Sequence, residues 1–132
     1  MDTDHNPLLG ENMPPSEITE RIIGCAFAVS NALGCGFLEK VYKNALAHEL
    51  KKAGFSVVQQ QRINVTYDGV AVGYYEADIV VDGSVIIEVK ALRALDDAHK
   101  AQCINYLKAT GVRLGLLINF GTSRVEVKRV AF

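Results

Sequence analysis

Two acidic residues and a lysine stand in or beside short apolar segments where a charged side chain is unusual. Asp78 lies within Ala77–Val81, and Glu88 interrupts Val85–Val89 with Lys90 two residues further on. A charge in such a segment is costly unless it is paired or liganded. Two carboxylates that meet suit a hard cation such as Mg²⁺, and a lysine beside it can act on a metal-bound water that attacks a phosphodiester. One interpretation of these residues is therefore a metal-dependent hydrolytic site.

A structural ion pair is the alternative explanation for the same residues. Charged residues are common on strands that face solvent, and Lys90 could simply neutralise Asp78 or Glu88 there. The three residues taken alone favour neither interpretation.

The hydrolytic interpretation requires a particular length of the turn between the strands that carry Asp78 and Glu88. Asp82-Gly83 predicts a hairpin. With a two-residue loop, Asp78 would sit opposite Ile87 and face away from Glu88. A loop with an odd number of residues would place Asp78 and Glu88 on the same face of the hairpin. A three-residue loop Val81–Gly83, with its glycine in the left-handed conformation, is one such loop. The site therefore requires an odd loop or a bulge.

The surrounding elements can be predicted from periodicity and from turn residues. Apolar residues at helical spacing predict a first helix from its cap at Ser16 to Leu33. Alternation and hairpin signals then predict an α/β protein with the element order ααβββαββ. The remaining elements are a helix over 38–52, strands over 56–67, 70–81 and 85–89, a helix from Asp96 or Asp97 to Thr110, a buried strand over 114–119 and an amphipathic edge strand over 125–130.

Length and composition indicate one folded domain in the cytoplasm. The 132 residues suffice for one core, which we place at 16–132 after a flexible N-terminal tail over 1–15. No apolar run reaches the roughly 20 residues of a membrane span, and the acidic N-terminus is not a signal peptide. Cys25, Cys35 and Cys103 show no zinc or disulfide spacing, so we expect buried or half-buried free thiols. His99 and Cys103 lack a second ligand pair, which favours a surface histidine.

Charge is distributed unevenly along the chain. The net charge is −1, but residues 1–89 hold 6 basic and 12 acidic residues, whereas residues 90–132 hold 8 basic and 3 acidic residues. A bound metal would neutralise some of the acids. The folded part could then present a positive face to a phosphate backbone, so the composition permits nucleic-acid binding.

A longer set of motifs carries a family resemblance. Gly36–Tyr42 reads GFLEKVY, which matches the GxxExxY signature of the family named after it, and that family resembles a minimal branch of the PD-(D/E)XK nuclease superfamily. The resemblance covers residues 16–132 and implies a mixed central sheet flanked by helices. It continues through Glu76–Asp78, Glu88–Ala91, His99, Gln102, Tyr106–Lys108 and Gly115–Gly121.

The resemblance implies a role for each matched residue around the metal. Asp78 and Glu88 would be the central metal ligands, with the main-chain carbonyl of Val89 as the third. Lys90 would act on the attacking water. Glu39 would complete the acidic site or hold a second ion.

The resemblance also assigns the residues at the border of the site. Gln102 would lie beside it and contact the substrate backbone, whereas Tyr42 and Tyr106 would pack and support. Glu76 departs from the pattern, which has a basic residue two positions before the aspartate. That extra acid would either join the ligand set or weaken phosphate binding.

These observations predict a Mg²⁺- or Mn²⁺-dependent nuclease that hydrolyses nucleic-acid phosphodiesters, with DNA favoured over RNA and no membrane partner. Homodimerisation through the edge strand Val125–Val130 would extend its footprint. The alternative is a non-catalytic nucleic-acid or protein interaction module on a nuclease fold. A purely structural α/β domain with surface ion pairs is a third interpretation.

Overall fold

The computed structural model describes residues 15–131, the first two by their backbone alone. The element order ααβββαββ is confirmed, and most boundaries agree with the predicted ones within one residue. Residues 1–14 of the predicted tail lie outside the described part of the chain. The elements are α1 (Pro15–Leu33), α2 (Glu39–Lys52), β1 (Val57–Tyr67), β2 (Val70–Val81), β3 (Val85–Lys90), α3 (Asp97–Thr110), β4 (Leu114–Asn119) and β5 (Glu126–Ala131).

The five strands form one mixed sheet in the order β1-β2-β3-β4-β5. β3 and β4 pair in parallel, with Val85 opposite Leu114 and Lys90 opposite Asn119, whereas the other neighbours are antiparallel. The parallel pair requires a crossover connection, which α3 supplies. The predicted edge strand, β5, does lie at an edge, and β3 is central.

Helices cover both faces of this sheet. Val85, Ile87 and Val89 of β3 pack in a cluster with α1 and α2, whereas Ile86 packs in a second cluster with Cys103 and Leu107 of α3. Successive residues of a strand point to opposite faces. The continuous apolar run of β3 is therefore explained by burial on both sides.

The helix ends follow from local chemistry. α1 begins at Pro15, one residue before the predicted cap at Ser16, and proline suits a first turn because its missing N–H needs no partner. Asp96 caps α3 by accepting from the backbone N–H groups of Ala98 and His99, and the His99 ring accepts from the backbone of Asp96. Gly111 ends α3 at φ 77°. His99 is thus occupied by a capping box, as expected of a surface histidine.

The helices and the cysteines of the described residues bear on two expectations from the sequence. None of their helices combines the length and the hydropathy needed to span a bilayer. All three cysteines are free, with Cys103 buried and Cys25 half-buried. The expectation was wrong for Cys35, which is exposed because it lies in the turn between α1 and α2.

Candidate active site

The turn between β2 and β3 has the odd count that the site requires. Val81 pairs with Val85, so the loop consists of the three residues Asp82–Ser84. Asp82 and Gly83 both take positive φ values, 51° and 66°. The predicted loop was therefore right in length but displaced by one residue. In the register of this hairpin Asp78 falls opposite Glu88.

The alternation of β2 is interrupted at Asp78. Tyr75 and Ala77 pack on the face covered by α3, yet Ile79 packs on the face covered by α1 and α2. Gln60 lies opposite Asp78 on β1, has φ 54°, and is missing from the pairing register, which is continuous on either side of it from Val57 to Val65. After this step, the side chains of the β1–β2 ribbon that had pointed to one face of the sheet point to the other. Asp78 thus lies where the regular pairing of the two strands is interrupted.

Two reciprocal hydrogen bonds replace the strand pairing there. The backbone N–H of Val89 donates to Asp78 Oδ2 over 2.8 Å, and the backbone N–H of Asp78 donates to Glu88 Oε2 over 3.3 Å. Both acids are largely buried, at 8% and 7% exposure. The structure thus brings Asp78 and Glu88 together in the gap between β2 and β3, beyond the last regular pair.

Burial and charge repulsion keep a proton on this pair. Burial, and then the nearby Asp78 carboxylate, raise the pKa of Glu88 from 4.5 to about 8. The Asp78 N–H and the ammonium groups of Lys90 and Lys43 act in the opposite direction but do not cancel the shift. At neutral pH Glu88 is mostly protonated, so a cation that binds both carboxylates must displace that proton.

Lys43 enters the site from α2 and was not predicted from the sequence. Its Nζ lies 3.4 Å from Asp78 Oδ1, and the two side chains are only 17% and 12% exposed. Lys43 follows Glu39 by four residues on the helix, so the two share a face. That spacing is the signal that could have identified it.

The other predicted site residues, Lys90, Glu39 and Gln102, lie on three different elements. Lys90 ends β3, is half-buried, and by strand alternation shares the face of Glu88. Glu39 is half-buried at the start of α2, and Gln102 is exposed on α3 beside the buried Cys103. Among the described residues their side chains make no hydrogen bond or ion pair. Their roles in the site therefore stay predictions.

The extra acid, Glu76, points elsewhere. Its side chain is exposed, and its Oε1 accepts a hydrogen bond of 3.2 Å from Gln60 Nε2 on the neighbouring strand. In this structure Glu76 contributes to the β1–β2 ribbon rather than to the pair of buried carboxylates.

A buried asparagine and a glycine fix the chain that follows Lys90. Asn119 Oδ1 accepts from the backbone of Leu92 at 2.8 Å, and Asn119 Nδ2 donates back to the Leu92 carbonyl at 3.0 Å. Gly121 packs so tightly against this segment that a Cβ there would overlap the Leu92 carbonyl oxygen. The backbone N–H of Phe120 donates to the Lys90 carbonyl over 2.8 Å. These contacts, which the sequence analysis did not assign, hold the end of β3 in place.

The two tyrosines of the matched motifs, Tyr42 and Tyr106, pack against neighbouring parts of the fold, as predicted. The Tyr42 hydroxyl donates to the Gly34 carbonyl at 2.6 Å and accepts from the backbone of Phe37 at 3.1 Å, which closes the loop before α2. Tyr106 stacks on Tyr75 with the ring centroids 3.6 Å apart. The buried Tyr75 hydroxyl has no hydrogen-bond partner among the described residues.

The donor atoms of the site fit a hard divalent cation. Asp78, Glu88 and the carbonyl of Val89 offer oxygen only, the ligand type that Mg²⁺ and Mn²⁺ prefer. A dication would also oppose the burial and the repulsion by Asp78 that raise the pKa of Glu88. Within residues 15–131 no three His, Cys, Asp or Glu side chains gather into a metal cluster. The Val89 carbonyl and water would therefore have to complete the coordination.

Comparisons with known proteins identify a family and a similar fold. A family model of the PD-(D/E)XK nuclease superfamily matches residues 16–130, and the GxxExxY branch within it remains a prediction. The chain is similar to the crystal structure of SSO0001, with a TM-score of 0.55 and 23% identity over 88% of this chain and 58% of that one. It thus spans less than two thirds of that protein, and the likeness concerns the fold alone. A search of curated proteins found no match.

Proposed function

Because the chain belongs to the PD-(D/E)XK nuclease superfamily, we propose that it hydrolyses nucleic-acid phosphodiester bonds with a divalent cation, Mg²⁺ or Mn²⁺, held by Asp78 and Glu88. The superfamily generally uses divalent metals and implies an interaction with nucleic acid. The observation that carries the proposal is the pair of reciprocal hydrogen bonds between β2 and β3, which gathers two buried carboxylates where strand pairing stops.

Each residue of the pair has a separate task in this proposal. When bound, the cation supplies Lewis acidity that activates a water and stabilises charge on the phosphate. Asp78 is held in position by the Val89 N–H, and Glu88 becomes a full ligand once its proton is lost. Lys90, on the face of Glu88, orients the attacking water and stabilises the negative charge that develops on the phosphoryl oxygens.

The remaining assignments extend the site toward its substrate. Glu39 completes the acidic set or holds a second ion, and Gln102 contacts the substrate backbone from α3. The basic residues concentrated after position 89 supply the positive surface that a phosphate backbone needs. DNA is the favoured substrate, and pairing of two copies through β5 would lengthen the footprint.

A cleavage assay with a matched pair of variants tests the proposal. The purified protein is incubated with labelled single-stranded, double-stranded and branched DNA, and with RNA, in Mn²⁺ and in EDTA. We expect cleavage in Mn²⁺ by the wild type and by Asp68→Asn, a change in the β1–β2 hairpin turn, and none in EDTA or by Asp78→Asn. Metal-independent cleavage, or full activity of Asp78→Asn, would contradict the assignment.

One observation favours the rival function of a non-catalytic interaction module. Both carboxylate oxygens of Asp78 already have protein partners, the Val89 N–H and the Lys43 ammonium. A structural role would need nothing more. The cleavage assay distinguishes the two functions when it is combined with a gel shift. A non-catalytic module would bind nucleic acid in the gel shift in EDTA and would cleave none of the panel in Mn²⁺.

A further inference from the structure

A lysine ammonium stands beside one of the two proposed metal ligands. Lys43 Nζ lies 3.4 Å from Asp78 Oδ1, and both side chains are largely withdrawn from solvent. A buried carboxylate needs a positive partner or several hydrogen bonds to remain charged. Lys43 supplies that positive charge to the metal-free protein.

Lys43 does not position Asp78. The other carboxylate oxygen of Asp78 is held by the backbone N–H of Val89 at 2.8 Å, a shorter contact made by a fixed part of β3. The contact with Lys43 is longer and is made by the tip of a flexible side chain. Removal of the ammonium would therefore leave the carboxylate aimed at the gap between β2 and β3.

We propose that Lys43 is a resident counter-cation that competes with the divalent metal for Asp78, so that the metal binds only as the ammonium moves away. The inference rests on the proposed metal site. Lys43 and a dication on the same carboxylate would repel each other strongly at this distance and degree of burial.

Competition has a consequence that a merely structural ion pair does not have. If Lys43 occupies the metal's place, neutralising it must tighten metal binding while it destabilises the metal-free protein. If Lys43 only supports the fold, its loss lowers stability and leaves metal affinity unchanged. Metal affinity and metal-free stability therefore have to be measured on the same variants.

Calorimetric Mn²⁺ titrations and thermal melts in EDTA provide both measurements. The variants are Lys43→Met, Lys43→Gln, which keeps a donor for Asp78 without the charge, and Lys40→Met, an exposed lysine of the same helix. We expect both Lys43 variants to bind Mn²⁺ about tenfold or more tightly than the wild type. Lys43→Met should also melt at a lower temperature in EDTA, and Lys40→Met should match the wild type in both measurements.

The outcomes distinguish this inference from the proposed function. If the wild type binds Mn²⁺ and either folded Lys43 variant binds it equally or more weakly, the competition is overturned and the metal site stands. If neither the wild type nor any variant binds Mn²⁺, both proposals fall. Binding by a Lys43 variant but not by the wild type supports the competition in its strongest form. If Lys43→Met does not fold, Lys43→Gln decides by the same comparison.

Discussion

Glu88 Oε2 lies 3.3 Å from the main-chain nitrogen of Asp78, so the side chain of one site acid is bound to the backbone of the other across two strands. Burial, and then the Asp78 carboxylate that this arrangement brings close, raise the pKa of Glu88. The hydrogen bond favours an acceptor at Glu88, whereas burial and repulsion oppose its charge. Glutamine at position 88 is an uncharged acceptor of the same shape, so it should make the metal-free protein more stable than the carboxylate does.

The first prediction concerns pH and Glu88. Its pKa is raised in the folded state from 4.5 to about 8, so the fold favours the protonated form. That contribution to stability is fully present below about pH 4.5 and is lost as the pH rises to about 8; it amounts to roughly 5 kcal/mol at most. In EDTA the melting temperature of the wild type should fall between pH 5 and pH 8, and Glu88→Gln should flatten this fall.

The control for this titration is Glu76→Gln, which removes an exposed acid from the same ribbon. It should retain the pH dependence of the wild type. Identical melting profiles for the wild type and Glu88→Gln across this range would show that Glu88 does not hold a proton in the fold.

The second prediction concerns Gly121 and the end of β3. A methyl group at this position would meet backbone atoms of Ala91 and Leu92, the two residues that follow Lys90. Gly121→Ala should therefore cost about 1–3 kcal/mol of unfolding free energy, as overpacking does, and should lower cleavage per folded molecule by displacing Lys90. Urea denaturation and the cleavage assay measure the two effects.

Gly73→Ala is the matched control, because a Cβ there would meet no atom within 4 Å. It should leave both quantities near their wild-type values. A Gly121→Ala protein of wild-type stability would show that the close approach is not required.

Much of the fold could be predicted because local signals coincide with tertiary ones. The boundaries of β2 and β4 follow from turn residues on either side, such as Asp68-Gly69, where both residues have positive φ. The face exchange at Asp78 could not be predicted, because it depends on the simultaneous irregularity of Gln60 on another strand. Periodicity within one strand contains no information about its neighbour.

The candidate site was predictable to a similar degree. Asp78 and Glu88 are conspicuous because their charges interrupt apolar strands, and the structure brings them together. Lys43 lies on a helix among other charged residues, where a lysine needs no special explanation, so its contact with Asp78 depended on helix packing. The contacts of Asn119 could not be predicted for a related reason, since its partners lie in an irregular segment.

The third prediction tests whether Tyr42 supports the fold rather than the chemistry. Tyr42→Phe removes the hydrogen bonds to Gly34 and Phe37 but keeps the ring. Two backbone groups then lose a partner, which should cost about 1–3 kcal/mol of unfolding free energy. Cleavage corrected for the folded fraction should stay close to that of the wild type. Tyr67→Phe, at a position 75% exposed, controls for the loss of a hydroxyl, and a stable but inactive Tyr42→Phe would place the tyrosine in the reaction.

The last prediction concerns Lys90, where the catalytic and structural interpretations differ most. If Lys90 acts on the attacking water, Lys90→Ala should slow single-turnover cleavage on the order of 10²-fold or more. Metal affinity should stay the same or rise, because one cation near Glu88 is removed. The backbone of Lys90 remains held by β4 and by Phe120, so the variant should fold.

A structural role would give the opposite pattern. If Lys90 only neutralises Glu88, Lys90→Ala should lower the melting temperature, and any remaining activity should follow the folded fraction. Lys108→Ala, an exposed lysine in the last turn of α3, provides the control for lost positive charge. Single-turnover cleavage and a melting curve on the same preparation decide between the two roles. A well-folded Lys90→Ala protein that cleaves at the wild-type rate would remove Lys90 from the mechanism, and metal binding by Asp78 and Glu88 would then have to account for the reaction without it.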